Sequence, residues 1–534
     1  MKKRIIPWWR KLSWQELWLF AFIIFMIVSH TAYVLISRQY PVWDENHYMM
    51  LAVGFYDLFH QNVAEILQKI WTFSDYRQPL YGFILSLPLF VFGTDHAYKI
   101  ALFTNGLLYS VSIIGVYLLA RQWCSKTTSL VAAMIFAWYG NVLFYLHYTY
   151  SEIAVGTCIV WATLFFVRSH FFTNRKFTCW AAVLTAAAVL TRWIAVPFLV
   201  GPLSVCGIGA VIMWVKNKKQ RRAILYNLLW FFVLGVALPF FVYYLPNIKP
   251  FGMYLWRNKY YAPEWVAQFK DASMANPFSV RSMMFYFNII SQNTIFLFAP
   301  LVVGVVVAFV NLKKYIYPFA LFVSGYGFLT IFAIWKEDRF IVPLYPIMAI
   351  LSVLALDHIR NKWIRVLCVL YFVVVSTMSF FGASWAYGPM GHRGLTDIVL
   401  PEFIRHPRRI YLTPIVWRPN VEYVNVHQIM DAIIEDKKTK EKQLLIKTFT
   451  YDPVDNALNA IVLYEKRNVV TLQTVATTSA MMTDELWNKA KQEADYILTK
   501  TTPVPEMYKQ NFMLLRSIFV PIDSSTLYLY KNNR

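Results

Sequence analysis

The sequence predicts a polytopic α-helical membrane protein of about eleven transmembrane helices followed by a soluble α/β domain. Three observations predict it. Of 534 residues, 58% are hydrophobic and only 15% charged, whereas an ordinary soluble chain carries about 25% charged residues. The net charge of +22 sits almost wholly before Phe381–Ser384, where basic residues outnumber acidic ones 32 to 13; beyond it the ratio is 19 to 16. The first part also divides into apolar runs of the roughly 20 residues that a bilayer crossing needs. A nucleic-acid domain would gather Lys and Arg on one soluble face with aromatics interleaved. The chain has no such face, so no nucleic-acid partner is expected.

In order, the predicted spans are Leu17–Ser37, Ala97–Ala120, Ser129–His147, Ile153–Val167, Phe177–Leu190, Ile194–Val215, Ile224–Leu245, Ile289–Val310, Ile316–Trp335, Phe340–Leu356 and Ile364–Ala383. The run Leu80–Gly93 (LYGFILSLPLFVFG) is too short, and suits a core, re-entrant or interfacial helix better than a crossing. Leaving it out puts the clusters MKKR, Arg121/Lys126, RSHFFTNRK, KNKKQRR, LKK and HIRNKWIR on the side of the N-terminus, as the positive-inside rule requires. That edge then carries 20 basic and 2 acidic residues, and the opposite edge 12 and 11. The N-terminus is therefore expected in the cytoplasm of a multi-pass protein of a bacterial inner or plasma membrane, with the C-terminal domain outside. No small-residue cleavage site follows the first apolar run, so Leu17–Ser37 is expected to be retained as a span.

The membrane part is expected over residues 1–383 and the α/β domain over 384–534. In the first outer loop, 38–98, Tyr48–Phe59 and Val63–Trp71 carry helix-period apolar residues and read as amphipathic helices on the membrane surface. The second, 246–288, is rich in Tyr, Trp and Pro without a sustained period and reads as a flexible loop with interfacial aromatics. In the tail, strands are predicted at Arg409–Leu412, Gln443–Thr448, Ala460–Tyr464, Asp495–Leu498 and Leu527–Tyr530, and helices at Val426–Asp436 and Thr483–Ala494. The five cysteines (Cys124, Cys158, Cys179, Cys206, Cys368) lie in the membrane part with no CxxC spacing and read as small buried apolar side chains. The tail holds no motif, so a structural or docking role is expected of it.

The residues that carry chemistry begin with YPVWDENHY after the first span. Asp44 and Glu45 are adjacent acids at the membrane rim, flanked by Trp43 and Tyr48. Carboxylates there are costly, and neighbours shift each other's pKa so that one can take a proton while the other orients. The plain alternative is a solvated pair after a helix end. Arg77 in YRQPL, Glu152 in YTYSE and the turn Lys336-Glu337-Asp338-Arg339 lie on the same edge; each is otherwise a charged loop. Arg339 runs straight into FIVPLYP and so sits at the level of lipid phosphates. Arg192, in LTRWIAVP, is a similar candidate, or a snorkelling side chain.

WDENHY after the first span, RQPLYGF before a short apolar helix ending at Gly93, a span opening near Lys99 and ending LLAR, the acid after the third span, and KEDRFIVPLYP together resemble the polyprenyl-phosphate-dependent GT-C glycosyltransferases. The resemblance is to the branch of protein O-mannosyltransferases and the aminoarabinose transferase of lipid A, and covers about Trp14 to Ala383. Two features depart from it: Arg77-Gln78-Pro79-Leu80 stands where the family often has Lys-Pro-Pro-Leu, and the tail matches nothing in that branch. The resemblance implies an inverting transfer from a polyprenyl-phosphate sugar to a hydroxyl of a lipid, glycan or protein acceptor outside the cytoplasm. It implies Asp44 as base, Glu45 as its support, Arg339 with Lys336 on the lipid phosphate, and Glu152 on the acceptor or sugar side. Arg77, Arg192 and Tyr48, read from their positions in the sequence, are further candidate substrate contacts. A phosphate leaves well without an acid, so one carboxylate base and an electrostatic clamp should suffice, unlike glycoside hydrolysis with its two carboxyls. No cofactor and no metal are expected: Asp-Glu is a weak match to an Asp-x-Asp metal motif, and His47 is a lone histidine.

Two other classes compete. A transporter or flippase buries ionisable residues near the midplane and often shows inverted repeats; here the acids gather at the rim and no repeat is visible. A non-catalytic scaffold displaying its outer domain is the third reading.

Overall fold

In a computed structural model the described residues are 13–37, 41, 44–61, 77–261, 263–264, 276–293, 295–333, 336–385, 426–436, 444–449, 470–474, 484–500, 506–520 and 525–533. The chain forms two compact units, one of Met1–Ala32, Asn62–Tyr81 and Phe103–Trp417, the other of Tyr33–Gln61, Gly82–Leu102 and Arg418–Arg534. The helices up to residue 385 are α1 (Trp14–Ile36), α2 (Asp44–Gln61), α3 (Leu80–Ser86), α4 (Leu89–Phe92), α5 (Ala97–Ala120), α6 (Lys126–Ala137), α7 (Gly140–Leu146), α8 (Glu152–Arg168), α9 (Arg175–Thr191), α10 (Ala195–Lys216), α11 (Arg221–Phe232), α12 (Ile248–Tyr260), α13 (Val280–Asn293), α14 (Ile295–Val310), α15 (Leu312–Ile331), α16 (Tyr345–Val353) and α17 (Lys362–Trp385).

Among the described residues helix occupies most of each of the eleven predicted spans, but not every one is long and apolar enough by itself to cross. Among the described residues six runs are: Trp14–Ile36, Ala97–Ala120, Ala195–Lys216, Lys218–Tyr244, Asp338–His358 and Lys362–Phe381. The predicted Ser129–His147 is a broken pair, α6 and α7, bent by 57°, because Tyr139 adopts an extended conformation between them. Helices α8 and α9 have 17 residues each and α14 has 16, short of the roughly 20 for a bilayer. Helix α15 opens on Leu-Lys-Lys and kinks at Tyr315. The protein is thus a mostly helical, multi-pass membrane protein.

In the first unit small residues let helices touch along their backbones. A side chain at Gly201 would strike the Ala320 carbonyl, and one at Gly304 the Leu351 carbonyl, the close approach that membrane helices use in place of a hydrophobic drive. The break between α6 and α7 leaves carbonyls to be satisfied. Asn105 Nδ2 donates to those of Tyr145, Leu146 and Tyr148 at 3.5, 3.3 and 2.9 Å, so one buried amide on α5 holds the turn that leads into Glu152.

The predicted flexible loop 246–288 is corrected: α12 and α13 occupy much of it. Pro250 lies in the first turn of α12, where a missing N–H costs no helix bond. In α13 the buried residues Ser282, Tyr286 and Ile290 recur every four positions, a helical stripe that the polar and aromatic residues between them mask in the sequence.

In the second unit α2 covers the predicted Tyr48–Phe59, and the predicted Leu80–Gly93, which lies in this unit from Gly82 onward, is two short helices, α3 and α4. Gly82 lies so close to Leu51 that a Cβ would come within 2.6 Å of it, and Gly93 ends α4 at φ +74°, a conformation that favours glycine. The tail residues of this unit form α18 (Val426–Asp436), β1 (Leu444–Phe449), β2 (Val470–Thr474), α19 (Asp484–Glu493), β3 (Tyr496–Lys500), β4 (Phe512–Val520) and β5 (Ser525–Asn532). The sheet order is β2-β1-β3-β5-β4, with β1 parallel to β2 and β3, and β5 antiparallel to β3 and β4. Trp487, Ala490, Ala494 and Ile497 pack its core with Tyr508, Phe512 and Tyr530. The predicted Val63–Trp71 helix, the Arg409–Leu412 and Ala460–Tyr464 strands, the MKKR cluster and Trp43 lie outside the described residues.

Candidate functional site

The chain places its predicted residues in two groups, one in each unit. In the first unit Glu152 opens α8 and is buried, with 1% of its side chain exposed; Arg192 and Arg339 are each 13% exposed. Glu152 Oε1 pairs with Arg192 Nη1 and lies 3.8 Å from Arg339 Nε. Arg192 is delivered by the extended residue that ends α9, and Arg339 by a 3₁₀ turn, Asp338–Leu344, that precedes α16. Three segments far apart in sequence thus meet at one carboxylate.

Aromatic faces and a second acid complete the cluster. The Arg192 and Arg339 guanidiniums lie 5.1 and 5.3 Å from the Phe340 ring centre, and Arg339 lies 5.1 Å from that of Tyr150. Such faces attract and orient a planar cation without neutralising it. Arg339 Nε also pairs with Glu337, whose side chain is 24% exposed. Two guanidiniums therefore face two carboxylates, and Glu337 is the more open acid.

The turn that carries Arg339 is held from both sides. Tyr145 donates its hydroxyl proton to Asp338 Oδ1 at 2.7 Å, and Asn141 Nδ2 donates to the Asp338 carbonyl at 3.4 Å and to the Tyr345 hydroxyl at 3.2 Å. Lys336 is fully buried. Its Nζ donates to the Leu329 and Thr330 carbonyls at 3.0 and 2.6 Å, so it caps the C-terminal end of α15, where a cation meets the negative end of the helix. Burial pushes its pKa down to about 8. The Arg77 carbonyl accepts from the Tyr243 hydroxyl at 2.8 Å.

In the second unit Asp44 and Glu45 form the first turn of α2, where carboxylates meet the positive end of the helix. Glu45 is fully buried and Asp44 is half-buried. Tyr98, at the start of α5, donates to Glu45 Oε1 at 2.9 Å, and the next residue, Lys99, reaches the Leu35 carbonyl at the end of α1 at 3.4 Å. Tyr48 is buried on the same helix, edge-on to His47 with ring centres 6.4 Å apart. The two acids, adjacent in sequence, thus have different surroundings.

Tyr98, Tyr145, Asn141, Asn105, Tyr150 and Phe340 were not singled out by sequence. Each is an ordinary polar or aromatic residue in or beside an apolar run, and only pairing across segments marks it. Among the described residues no three His, Cys, Asp or Glu side chains gather as a metal site.

No protein-family model matches the chain, and no curated protein matches it. Solved structures do match. ArnT from Cupriavidus metallidurans bound to undecaprenyl phosphate superposes over 96% of this chain and 98% of its own, with a TM-score of 0.58 at 12% identity; its apo state does so over 97% and 98%, with a TM-score of 0.57 at 12% identity. The archaeal oligosaccharyltransferase AglB from Archaeoglobus fulgidus, in complex with an inhibitory peptide and a dolichol-phosphate, matches over 92% of this chain and 70% of its own, with a TM-score of 0.52 at 13% identity. The chain thus shares its fold with these glycan-transfer proteins of the class that the motifs led us to expect.

Proposed function

We propose that the chain is an integral membrane glycosyltransferase that moves a sugar from a polyprenyl-phosphate donor to a hydroxyl outside the cytoplasm, with inversion. The observation that carries this reading is the meeting of Arg192 and Arg339 at Glu152, in a chain that shares its fold over almost its whole length with a protein solved with undecaprenyl phosphate. In this reading all eleven helical segments cross, the N-terminus is cytoplasmic, and residues 384–534 form a domain outside. The charge bias of the two edges supports that orientation.

Asp44 would take the proton of the acceptor hydroxyl, because it is the more accessible acid and has a buried partner, Glu45, beside it. A single displacement at the anomeric carbon breaks the sugar–phosphate bond, forms the glycosidic bond and inverts the centre. The departing polyprenyl phosphate needs cations rather than an acid. Arg339 would supply the main one, with Arg192 behind it and Lys336 holding the turn, and Glu337 would yield to the phosphate. A guanidinium grips phosphate through two parallel N–H bonds. Arg77 and Tyr48 are proposed as further substrate contacts. The mechanism uses no metal.

The test is to delete the gene and compare surface glycans and polyprenyl-phosphate sugars by mass spectrometry, then to restore transfer with the purified chain. Loss of one envelope sugar with accumulation of its lipid-phosphate donor is expected. Unchanged glycans and donors would sink the proposal.

A further inference from the structure

A cavity of about 520 Å³ lies between α1, α6 and α17 in the first unit, within the roughly 300–1,000 Å³ of ordinary ligand sites. The three helices run the same way along it, and ties at the two ends show this. At one end Gln15 donates to the Thr127 hydroxyl at 3.3 Å and Lys126 pairs with Glu16 at 3.4 Å. At the other, Phe22 meets Trp138 at 5.0 Å, and Phe380 meets Phe25 at 5.4 Å and Trp138 at 5.8 Å between ring centres. Between these ties the walls are hydrocarbon, with Trp18, Ala21, Val131, Met134, Val373 and Thr377 among the lining residues.

The dimensions and the charge select an occupant. The lining runs from Trp14 to Phe25 on α1 and from Thr127 to Trp138 on α6, so at 1.5 Å per residue the groove is about 16 Å long. That is close to half of the roughly 30 Å hydrocarbon thickness. It is therefore one leaflet deep, with an aromatic floor at mid-membrane and a mouth at the edge where the three helices begin. Trp14 at the mouth is of the type that favours the headgroup level. Lys126 is 40% exposed there and pairs with Glu16 at 3.4 Å, and both acids of that edge also accept local hydrogen bonds. Glu16 accepts from the Ser13 backbone and hydroxyl, and Asp357 from Ser125 and Thr128. In the predicted topology this edge carries 20 basic residues against 2 acidic ones.

We propose that this groove is a binding site for one anionic phospholipid of the leaflet at the N-terminal ends of α1, α6 and α17, with an acyl chain between the helices and its phosphate at Lys126. The site is separate from the Arg192–Glu152–Arg339 cluster and does not depend on the proposed activity.

Native mass spectrometry of the full chain in mild detergent tests this, with phosphatidylglycerol and phosphatidylethanolamine as probes. The wild type is expected to retain one phosphatidylglycerol in preference to phosphatidylethanolamine. Ala21→Trp, at an exposed position on the groove wall, fills the space and should lose the retained lipid. Thr377→Phe on the opposite wall should do the same and serves where the first variant fails to fold. Lys126→Gln should keep a lipid but lose the preference for phosphatidylglycerol several-fold. Equal retention by the wild type and by a folded wall-filling variant would overturn the proposal, as would a second copy of the chain or a polyprenyl chain recovered from the groove.

Discussion

Tyr98 donates a 2.9 Å hydrogen bond to Glu45, and both side chains are buried. Glu45 is thus held by the scaffold, and in the proposed mechanism the half-buried Asp44 beside it is the acid that exchanges a proton. Asp44→Asn should lower the rate of sugar transfer about 10²- to 10⁴-fold, the range for loss of a general base. Glu45→Gln keeps an oxygen for Tyr98 and should cost less. Tyr98→Phe should lower the rate by roughly tenfold, equivalent to about 1.4 kcal/mol, with donor KM unchanged. Steady-state kinetics on the purified variants decides; an Asp44→Asn enzyme at wild-type rate would refute the role.

Glu337 and the donor phosphate are proposed to compete for Arg339. Glu337→Gln removes the competing charge while keeping the side chain's size, so the affinity for polyprenyl phosphate should rise several-fold, with slower release. Arg339→Ala should weaken that affinity and lower kcat about 10²- to 10³-fold, as for other lost transition-state donors. Direct binding of undecaprenyl phosphate measures both. A fall in affinity for Glu337→Gln would instead make Glu337 a support for the Arg339 geometry.

Arg192 and Glu152 should couple in stability. Removing one member of a buried ion pair costs about 3–5 kcal/mol, because the other is left charged and unmatched. Arg192→Ala leaves Glu152 with Arg339 at a longer distance, so it should lower the thermal midpoint more than Arg339→Ala does. The Arg192→Ala/Glu152→Ala pair should recover part of the loss. Additive losses in this double-mutant cycle would show that the pair is not coupled.

Lys336 gives a pH signature. Its pKa is near 8 in the folded protein against an ordinary value of 10.5. Below about 8 both folded and unfolded states carry the proton, and stability does not depend on this group. Between about 8 and 10.5 the unfolded chain binds the proton and the folded one does not, so stability rises with pH. Thermal midpoints of the wild type against Lys336→Met should show that rise only in the wild type. A flat wild-type profile across this window would contradict the assignment.

Metal removal is expected to leave the rate unchanged, because the proposed clamp is made of guanidiniums. Dialysis against a chelator followed by a transfer assay checks this; activity lost and then restored by a divalent ion would require a metal in the mechanism.

Much of the membrane part was legible because lipid imposes length and apolarity on a sequence more strictly than water does. The Ala97–Ala120 span matches to the residue. What escaped the sequence is local. The bend between α6 and α7 depends on the conformation of Tyr139, and the helices in 246–288 carry stripes too short for a periodicity to stand out. In the tail, Val470–Thr474 and Phe512–Val520 went unpredicted as strands, since their pairing with β1 and β5 lies outside their own residues.

The sequence by itself determined the class of the protein, the positions of most of its apolar helices and the candidates Asp44, Glu45, Glu152 and Arg339, because hydropathy, charge bias and short motifs are properties of a segment. Only the tertiary structure decided that Arg192 and Arg339 meet at Glu152, that Lys336 is turned to the end of α15, and that Tyr98 holds Glu45. The reason is physical. An ion pair or hydrogen bond in a low-dielectric interior depends on ångström distances between side chains from different helices, and those distances are set by packing, which no single segment records.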